Sequence, residues 1–262
     1  MPSIKAVLPA ILLLIPSARW ACAQDPFEIQ VYEYQTVQRG MWNLETHLNY
    51  IAKGTKVYEG PVAPTHDQFH MTYELTAGLS KNWELAGYLV TARRPGNPME
   101  YAGWRVRPRF KIPEEWNWPV KVSMSFEVGF PREHYEENGV TLELRPIIEK
   151  SWGKWQLDVN PVVGHALRGP GTDEGFDFEP AVRLAYTILP KLDLSTEYYG
   201  STGPVFHWLP GHEQVHQFYP GGDWQFTKNL VLNFGVGMAA TPTGSQLVYK
   251  IRIGWQFGKD SL

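Results

Sequence analysis

The sequence predicts an all-β fold, a transmembrane antiparallel β-barrel of about 12 strands. Three observations support this prediction. The first residues have the features of a secretory signal. From Met41 onward, apolar and polar side chains alternate, as they do along strands. The connections between the alternating segments are long at one end of the predicted barrel and short at the other.

The N-terminus predicts export. Residues 1–5 carry one positive charge, and residues 6–16 form an apolar run interrupted by Pro9. That run is too short for a membrane-spanning helix, which needs roughly 20 residues. Ala21-Cys22-Ala23 fits the small-residue cleavage pattern, so residues 1–23 are predicted to be a signal peptide. A lipid-bearing Cys22 is the less favoured alternative, because the residues before it do not resemble a lipoprotein cleavage site.

Composition excludes several classes of protein. Cys22 is the only cysteine, so cleavage removes any prospect of a disulfide or a thiolate metal site. The formal net charge of −3 comes without runs of basic residues, which argues against a nucleic-acid partner. The mean hydropathy of −0.31 resembles that of a soluble protein, but a barrel gives the same weak signal because half of its strand residues face inward.

The predicted barrel occupies residues 41–257 and is followed by a short tail, residues 258–262. Its last strand alternates most cleanly, with Ile251 and Ile253 on one face and Lys250 and Arg252 on the other. The same pattern predicts strands at 41–51, 67–79, 83–93, 101–112, 120–130, 139–150, 155–166, 176–188, 192–200, 214–226, 230–240 and 246–257.

A soluble β-sandwich would also alternate, so the connections and the tryptophans carry the membrane prediction. Long connections follow the odd-numbered strands, and tight turns follow most even-numbered ones, with 113–119 as the exception. Short turns lie in the periplasm in outer-membrane barrels. The predicted short-turn end also holds most tryptophans, as an interfacial belt would: Trp42, Trp83, Trp116, Trp118, Trp152, Trp155, Trp224 and Trp255. Tryptophans of an ordinary core would instead scatter along the strands.

Two features are not explained by this pattern. Prolines fall near the middle of predicted strands, where they cannot donate to a strand ladder: Pro108, Pro146, Pro161, Pro180 and Pro220. Residues 24–40 also alternate. This stretch is assigned as an N-terminal periplasmic segment, in the form of a periplasmic strap, an insert in the lumen, or an extension of the first strand.

The chain resembles bacterial outer-membrane barrels grouped with the meta-pathway phenol-degradation transporters. The resemblance covers residues 26–257 and includes Leu142-Glu143-Leu144-Arg145-Pro146 and the closing Gly254-Trp255-Gln256-Phe257. A final strand that ends in an aromatic residue looks like the signal read by the barrel-assembly machinery, although residues 258–262 follow it here. The resemblance implies passage of small solutes, with hydrophobic or aromatic ones as candidates, and it transfers no binding residue.

One set of charged residues is a candidate site in the lumen. Arg105, Arg107, Arg109 and Lys111 form a row on one predicted inward face. Such a row could attract an anionic solute. Pairing with Glu84 and Glu127 on the flanking strands is the favoured interpretation, because unpaired buried charges are costly.

Two patterns suggest enzymes, and neither is supported. His212-Glu213-Gln214-Val215-His216 matches the HExxH zinc motif, but nearby Pro-Gly pairs leave no room for the required helix. In a strand the two histidines would lie roughly 13 Å apart, too far to share an ion directly. Ser123 and Ser195 are predicted to face the lumen, without a histidine at a recognisable spacing. We therefore expect no enzyme activity, no metal and no cofactor.

The sequence thus predicts a narrow pore or transporter for small solutes in the outer membrane of a Gram-negative-type bacterium. Outer-membrane lipid and the barrel-assembly machinery are the expected partners, besides a solute that the sequence does not identify. A non-transporting structural or adhesive barrel is the alternative, and an outer-membrane hydrolase ranks third.

We expect the mature protein to begin at Gln24 and to change mobility on heating in detergent gels, because a closed barrel resists unfolding until its strand ladder melts. Terminal sequencing and a comparison of heated with unheated samples measure both points. An intact Met1 in the outer membrane, or mobility that heating leaves unchanged, would contradict this prediction.

Overall fold

The computed structural model describes residues 25–259, in which twelve strands form one closed antiparallel barrel. The strands are β1 (Met41–Lys53), β2 (Gln68–Gly78), β3 (Trp83–Arg93), β4 (Glu100–Lys111), β5 (Lys121–Pro131), β6 (Val140–Trp152), β7 (Trp155–Arg168), β8 (Asp177–Leu189), β9 (Leu192–Ser201), β10 (Val215–Thr227), β11 (Leu230–Ala239) and β12 (Leu247–Gly258). Two short 3-10 turns lie in connections, at Glu114–Trp116 and Pro170–Asp173. The predicted fold class is confirmed, and no predicted strand end is wrong by more than two residues. The predicted signal peptide lies outside the described residues.

Pairing of β1 with β12 closes the barrel. The register runs from Met41 opposite Gly258 to Tyr50 opposite Tyr249, whose rings stack with centroids 6.4 Å apart. Every other strand pairs with its neighbours in sequence, so none of the twelve is left with an unpaired edge. No helix among the described residues is long and apolar enough to cross a membrane.

The side chains alternate between an apolar outer surface and a polar interior. On β12, Ile251 is 42% exposed on the outside, whereas Val248 is 2% exposed and Lys250 is also buried inside. Leu85, Leu89, Leu184 and Leu194 are exposed on other strands in the same way. Inward positions hold charged and hydroxyl side chains, including Glu74, Arg107 and Ser125. This distribution is the reverse of that in a soluble protein.

The two ends of the barrel differ as the sequence predicts. Two-residue turns join β6 to β7, β8 to β9 and β10 to β11, whereas residues 54–67 and 202–214 form long connections at the opposite end. The tryptophans at the short-turn end all point outward, with exposed fractions of 41–60%: Trp42, Trp83, Trp116, Trp118, Trp152, Trp155, Trp224 and Trp255. Their outward orientation is that of an interfacial aromatic belt.

The mid-strand prolines coincide with gaps in the ladder. Between β4 and β5 the pairing passes from Val106 directly to Arg109, which omits Pro108. The β6–β7 ladder omits Pro146, and the β10–β11 ladder omits Pro220. Pro161 and Pro180 lie opposite each other on β7 and β8. Proline has no N–H to donate, so the barrel accommodates Pro108, Pro146 and Pro220 by omitting pairs on one side while the strands continue.

Replacing Ile251 with arginine should prevent most of the protein from folding in lipid vesicles, because a charge near the bilayer midplane of such a barrel costs about 2 to 4 kcal/mol. Gln256→Arg is the control on the same strand, since Gln256 alternates to the inner face and is exposed there. The folded fraction is measured by heat-modifiable mobility. Equal folding of the two variants would show that the assignment of inner and outer faces is wrong.

Candidate functional site in the barrel lumen

Residues 25–40, called here the lumen segment, lie inside the barrel. Their apolar side chains Phe27, Ile29, Val31, Tyr32 and Tyr34 are all buried. Ile29 and Val31 pack against inward residues of the wall, including Tyr219 and Val248. Of the three interpretations that the sequence left open, the structure selects the insert in the lumen. The first strand begins only at Met41.

The lumen segment runs along the barrel from one end to the other. Near the long-connection end, the Pro26 carbonyl accepts a hydrogen bond of 2.9 Å from Asn49 Nδ2. The Phe27 ring stacks on His70, with centroids 4.4 Å apart, and meets the edge of Tyr135 in the connection after β5. At the short-turn end, the Gly40 N–H donates to the Gly78 carbonyl at 3.1 Å. A solute crossing the barrel must therefore pass along this segment.

Wall side chains, rather than a neighbouring strand, satisfy much of the backbone of the lumen segment. Asn160 binds Tyr32 twice, accepting from its N–H at 2.7 Å and donating to its carbonyl at 3.0 Å. Further contacts of this kind are Tyr34 N–H to Glu149 (3.0 Å), Val37 N–H to Glu84 (2.6 Å), Arg109 to the Gln35 carbonyl (2.6 Å), Arg145 to the Gln30 carbonyl (3.0 Å) and Lys250 to the Ile29 carbonyl (3.1 Å). Buried backbone groups need such partners, so the polar wall holds the segment in place.

Tyr32 lies at the centre of the lumen charges. The guanidinium carbons of Arg145, Arg107 and Arg109 lie 4.3, 4.8 and 5.4 Å from the centre of its ring. Its hydroxyl donates to Glu28 and lies 3.0 Å from the hydroxyl of Tyr88. Cation–π contacts are strongest where water is excluded, as around this buried ring. Tyr32 is therefore the main side-chain anchor of the lumen segment.

The structure brings the predicted charge row together on one side of the lumen. Arg107 and Arg109 both pair with Glu84, at 3.0 and 2.7 Å, and Arg105 pairs with Glu127 at 3.1 Å. Lys111 donates to the Gln35 side chain of the lumen segment at 2.7 Å. The three arginines of the row are therefore paired with carboxylates, and Lys111 binds the lumen segment. The row does not present free positive charge along an open channel.

Sequence reasoning missed the partners that come from distant strands and from the lumen segment. Arg183 on β8 contacts Glu33 of the segment at 3.3 Å and Asp223 on β10, two strands away, at 2.7 Å, besides its register partner Asp158 on β7 at 3.0 Å. Arg105 also pairs with Asp25 of the segment. The alternation marks each wall residue as inward-facing, but it carries no information about which residues meet across the lumen.

Neither the HEQVH sequence nor Ser123 has the local geometry that its catalytic pattern requires. Residues 211–213 form a turn, and Val215 already begins β10, so the HEQVH sequence does not lie on a helix. His212 is exposed, whereas His216 Nδ1 lies 2.8 Å from the Tyr198 hydroxyl and its Nε2 lies 3.1 Å from Gln214. The Ser123 hydroxyl is buried and has no hydrogen-bond partner among the described residues. A serine nucleophile would need an adjacent base.

No protein-family model and no curated protein matches this sequence. Solved structures match its fold over most of the chain. An outer membrane channel from Pseudomonas putida F1 is 12% identical with a TM-score of 0.59, covering 88% of this chain and 100% of its own. The KdgM porin is 10% identical with a TM-score of 0.55, covering 82% and 99%, and the NanC porin is 8% identical with a TM-score of 0.52, covering 83% and 99%. This chain has the fold of outer-membrane channels and porins.

The double variant His212→Ala with His216→Ala should fold as the wild type does. It removes two hydrogen bonds of the His216 ring at the edge of β10, each worth about 0.5 to 1.5 kcal/mol. It also removes the stacking of that ring on Tyr198 and the exposed contact of His212 with Glu213, and it leaves the strand ladder intact. The yield of heat-modifiable barrel in vesicles measures this. A severe loss of folded barrel would show that the pair has a structural role that these contacts do not reveal.

Proposed function

We propose that this protein is a narrow pore for small solutes in the outer membrane of a Gram-negative-type bacterium. The lumen segment forms its constriction. The observation that carries the proposal is the course of residues 25–40, from Pro26 beside Asn49 at one end to Gly40 beside Gly78 at the other. Solutes pass where this segment leaves space or shifts against the wall. A barrel of about 12 strands is intermediate between filled small barrels and open porins.

The chemistry of the lumen favours small neutral or aromatic solutes over ions of one sign. Its arginines are matched by carboxylates, as for Arg107 with Glu84 and Arg183 with Asp158. Because charges of both signs are interspersed, they produce no extended field of a single sign, which strong ion selectivity requires. Tyr88, Tyr199 and Tyr219 add buried aromatic surface. Hydrophobic or aromatic solutes, as the resemblance to phenol-degradation transporters implies, remain part of this proposal.

One observation favours the alternative of a non-transporting adhesive barrel. The long connections expose large apolar side chains, with Phe206 90% exposed and Val57, Tyr58 and Trp208 more than half exposed. Exposed apolar side chains at one end of a molecule are typical of contact surfaces. A lumen held closed by its own segment fits a barrel that works only through these connections. Solute flux decides between the two functions.

Loosening the lumen segment should increase flux through the pore. Tyr32→Ala removes the ring contacted by Arg107, Arg109 and Arg145, contacts worth about 0.5 to 2 kcal/mol each. In liposome swelling assays with small sugars, anions and aromatic acids, we expect slow flux for the wild type and several-fold faster flux for Tyr32→Ala.

Tyr58→Ala is the matched control, because Tyr58 is an exposed tyrosine in the β1–β2 connection. It should swell at the wild-type rate. If wild type and Tyr32→Ala are both folded and neither admits any of these solutes, the pore proposal is wrong and the adhesive alternative is favoured.

A further inference from the structure

Three metal-ligating side chains from separate parts of the chain meet inside the barrel. Glu28 comes from the lumen segment, His47 from β1 and Glu74 from β2. Each offers one nitrogen or oxygen atom, and these atoms lie within 4.8 Å of one another. The residues are 2%, 1% and 0% exposed. They are therefore held together in a site from which bulk water is excluded.

Two of these side chains direct unsatisfied atoms into the cluster. His47 Nε2 and Glu74 Oε2 are buried and have no hydrogen-bond partner among the described residues. They lie 3.6 Å apart, beyond the usual hydrogen-bond range of about 2.7 to 3.2 Å. Two ligands of a tetrahedral zinc ion lie roughly 3.4 Å apart, since each bond measures about 2.0 to 2.2 Å. A shared cation would satisfy both atoms at the separation that they already have.

Hydrogen bonds from neighbouring side chains hold the other carboxylate oxygen of Glu74 and of Glu28, as the outer shell of a metal site does. Glu74 Oε1 accepts from Thr76 at 2.8 Å and from Arg107. Glu28 Oε1 accepts from the Tyr32 hydroxyl. Such contacts fix the orientation of ligating carboxylates and tune metal affinity.

The net charge of the surrounding side chains is compatible with a bound divalent cation. The ion-pair network around Tyr32 contains two more carboxylates than guanidinium groups. Its members are Asp25, Glu28, Glu74, Glu84, Glu127 and Glu143 against Arg105, Arg107, Arg109 and Arg145. Arg105 lies 3.7 Å from Glu28 Oε2 and opposes a cation there. The two additional carboxylates of the network offset the repulsion from Arg105, because a buried charge is stabilised by nearby charge of the opposite sign.

We propose that Glu28, His47 and Glu74 bind a divalent transition-metal ion that links the lumen segment to the barrel wall. One imidazole and two carboxylates suit Zn²⁺. The proposal goes beyond pore function and departs from the expectation of no metal, which rested on the HEQVH sequence and on the loss of Cys22. The proposed ligands come from two strands and a non-strand segment, so their spacing in sequence matches no metal motif.

Zinc stoichiometry tests the site. Folded protein in detergent is treated with a chelator, dialysed against Zn²⁺ and then against buffer, and measured by elemental analysis and by titration. We expect one zinc ion per chain. His47→Ala and Glu28→Gln should each weaken binding by more than the roughly 10- to 100-fold that follows loss of an outer-shell contact. Glu28 lies outside the strand ladder, so Glu28→Gln tests the site without altering any strand of the wall.

The double variant His212→Ala with His216→Ala is the control for zinc held by the two HEQVH histidines, and it should retain one zinc ion. Heat-modifiable mobility confirms that each sample is a folded barrel. Absence of stoichiometric zinc from the wild type would overturn the proposal. So would undiminished affinity in Glu28→Gln, or loss of the zinc in the control.

Discussion

The rest of the structure depends on closure of the strand ladder between β1 and β12. In a bilayer every backbone N–H and C=O needs a partner within the protein, and a closed barrel is the β-structure that provides one. The register of closure, with Tyr50 opposite Tyr249, also fixes which residues point inward. Because side chains alternate along strands, one register sends Lys250 and Arg252 into the lumen and leaves Ile251 and Ile253 outside.

Closure creates a second problem, since it concentrates charged side chains in a small interior. Those charges must be paired or hydrated. The lumen segment supplies part of the solution: Asp25 pairs with Arg105, Glu33 pairs with Arg183, and the Ile29 carbonyl accepts from Lys250. The polar wall in turn gives partners to the backbone of the segment. Wall and segment are thus mutually dependent, which is why a change at Tyr32 is expected to alter the path through the barrel and not only its stability.

The prolines show how much local irregularity the closed ladder tolerates. Pro108, Pro146 and Pro220 each remove a donor, and the ladder resumes within a few residues because the pairing on both sides is continuous. From sequence they appeared to conflict with a strand assignment. In the barrel they cost local hydrogen bonds without ending a strand.

The sequence by itself determined the strands, their inner and outer faces and the tryptophan belt, because these features follow from a two-residue period and from the positions of turns. It also placed Arg105, Arg107 and Glu84 on inward faces of neighbouring strands, where their pairing depends on local register. Only the tertiary structure decided that residues 25–40 enter the lumen, since their alternation suits a strap, an insert or a strand equally. It alone brought Glu28, His47 and Glu74 together, because their meeting depends on barrel curvature and on the path of the segment, which no local periodicity encodes.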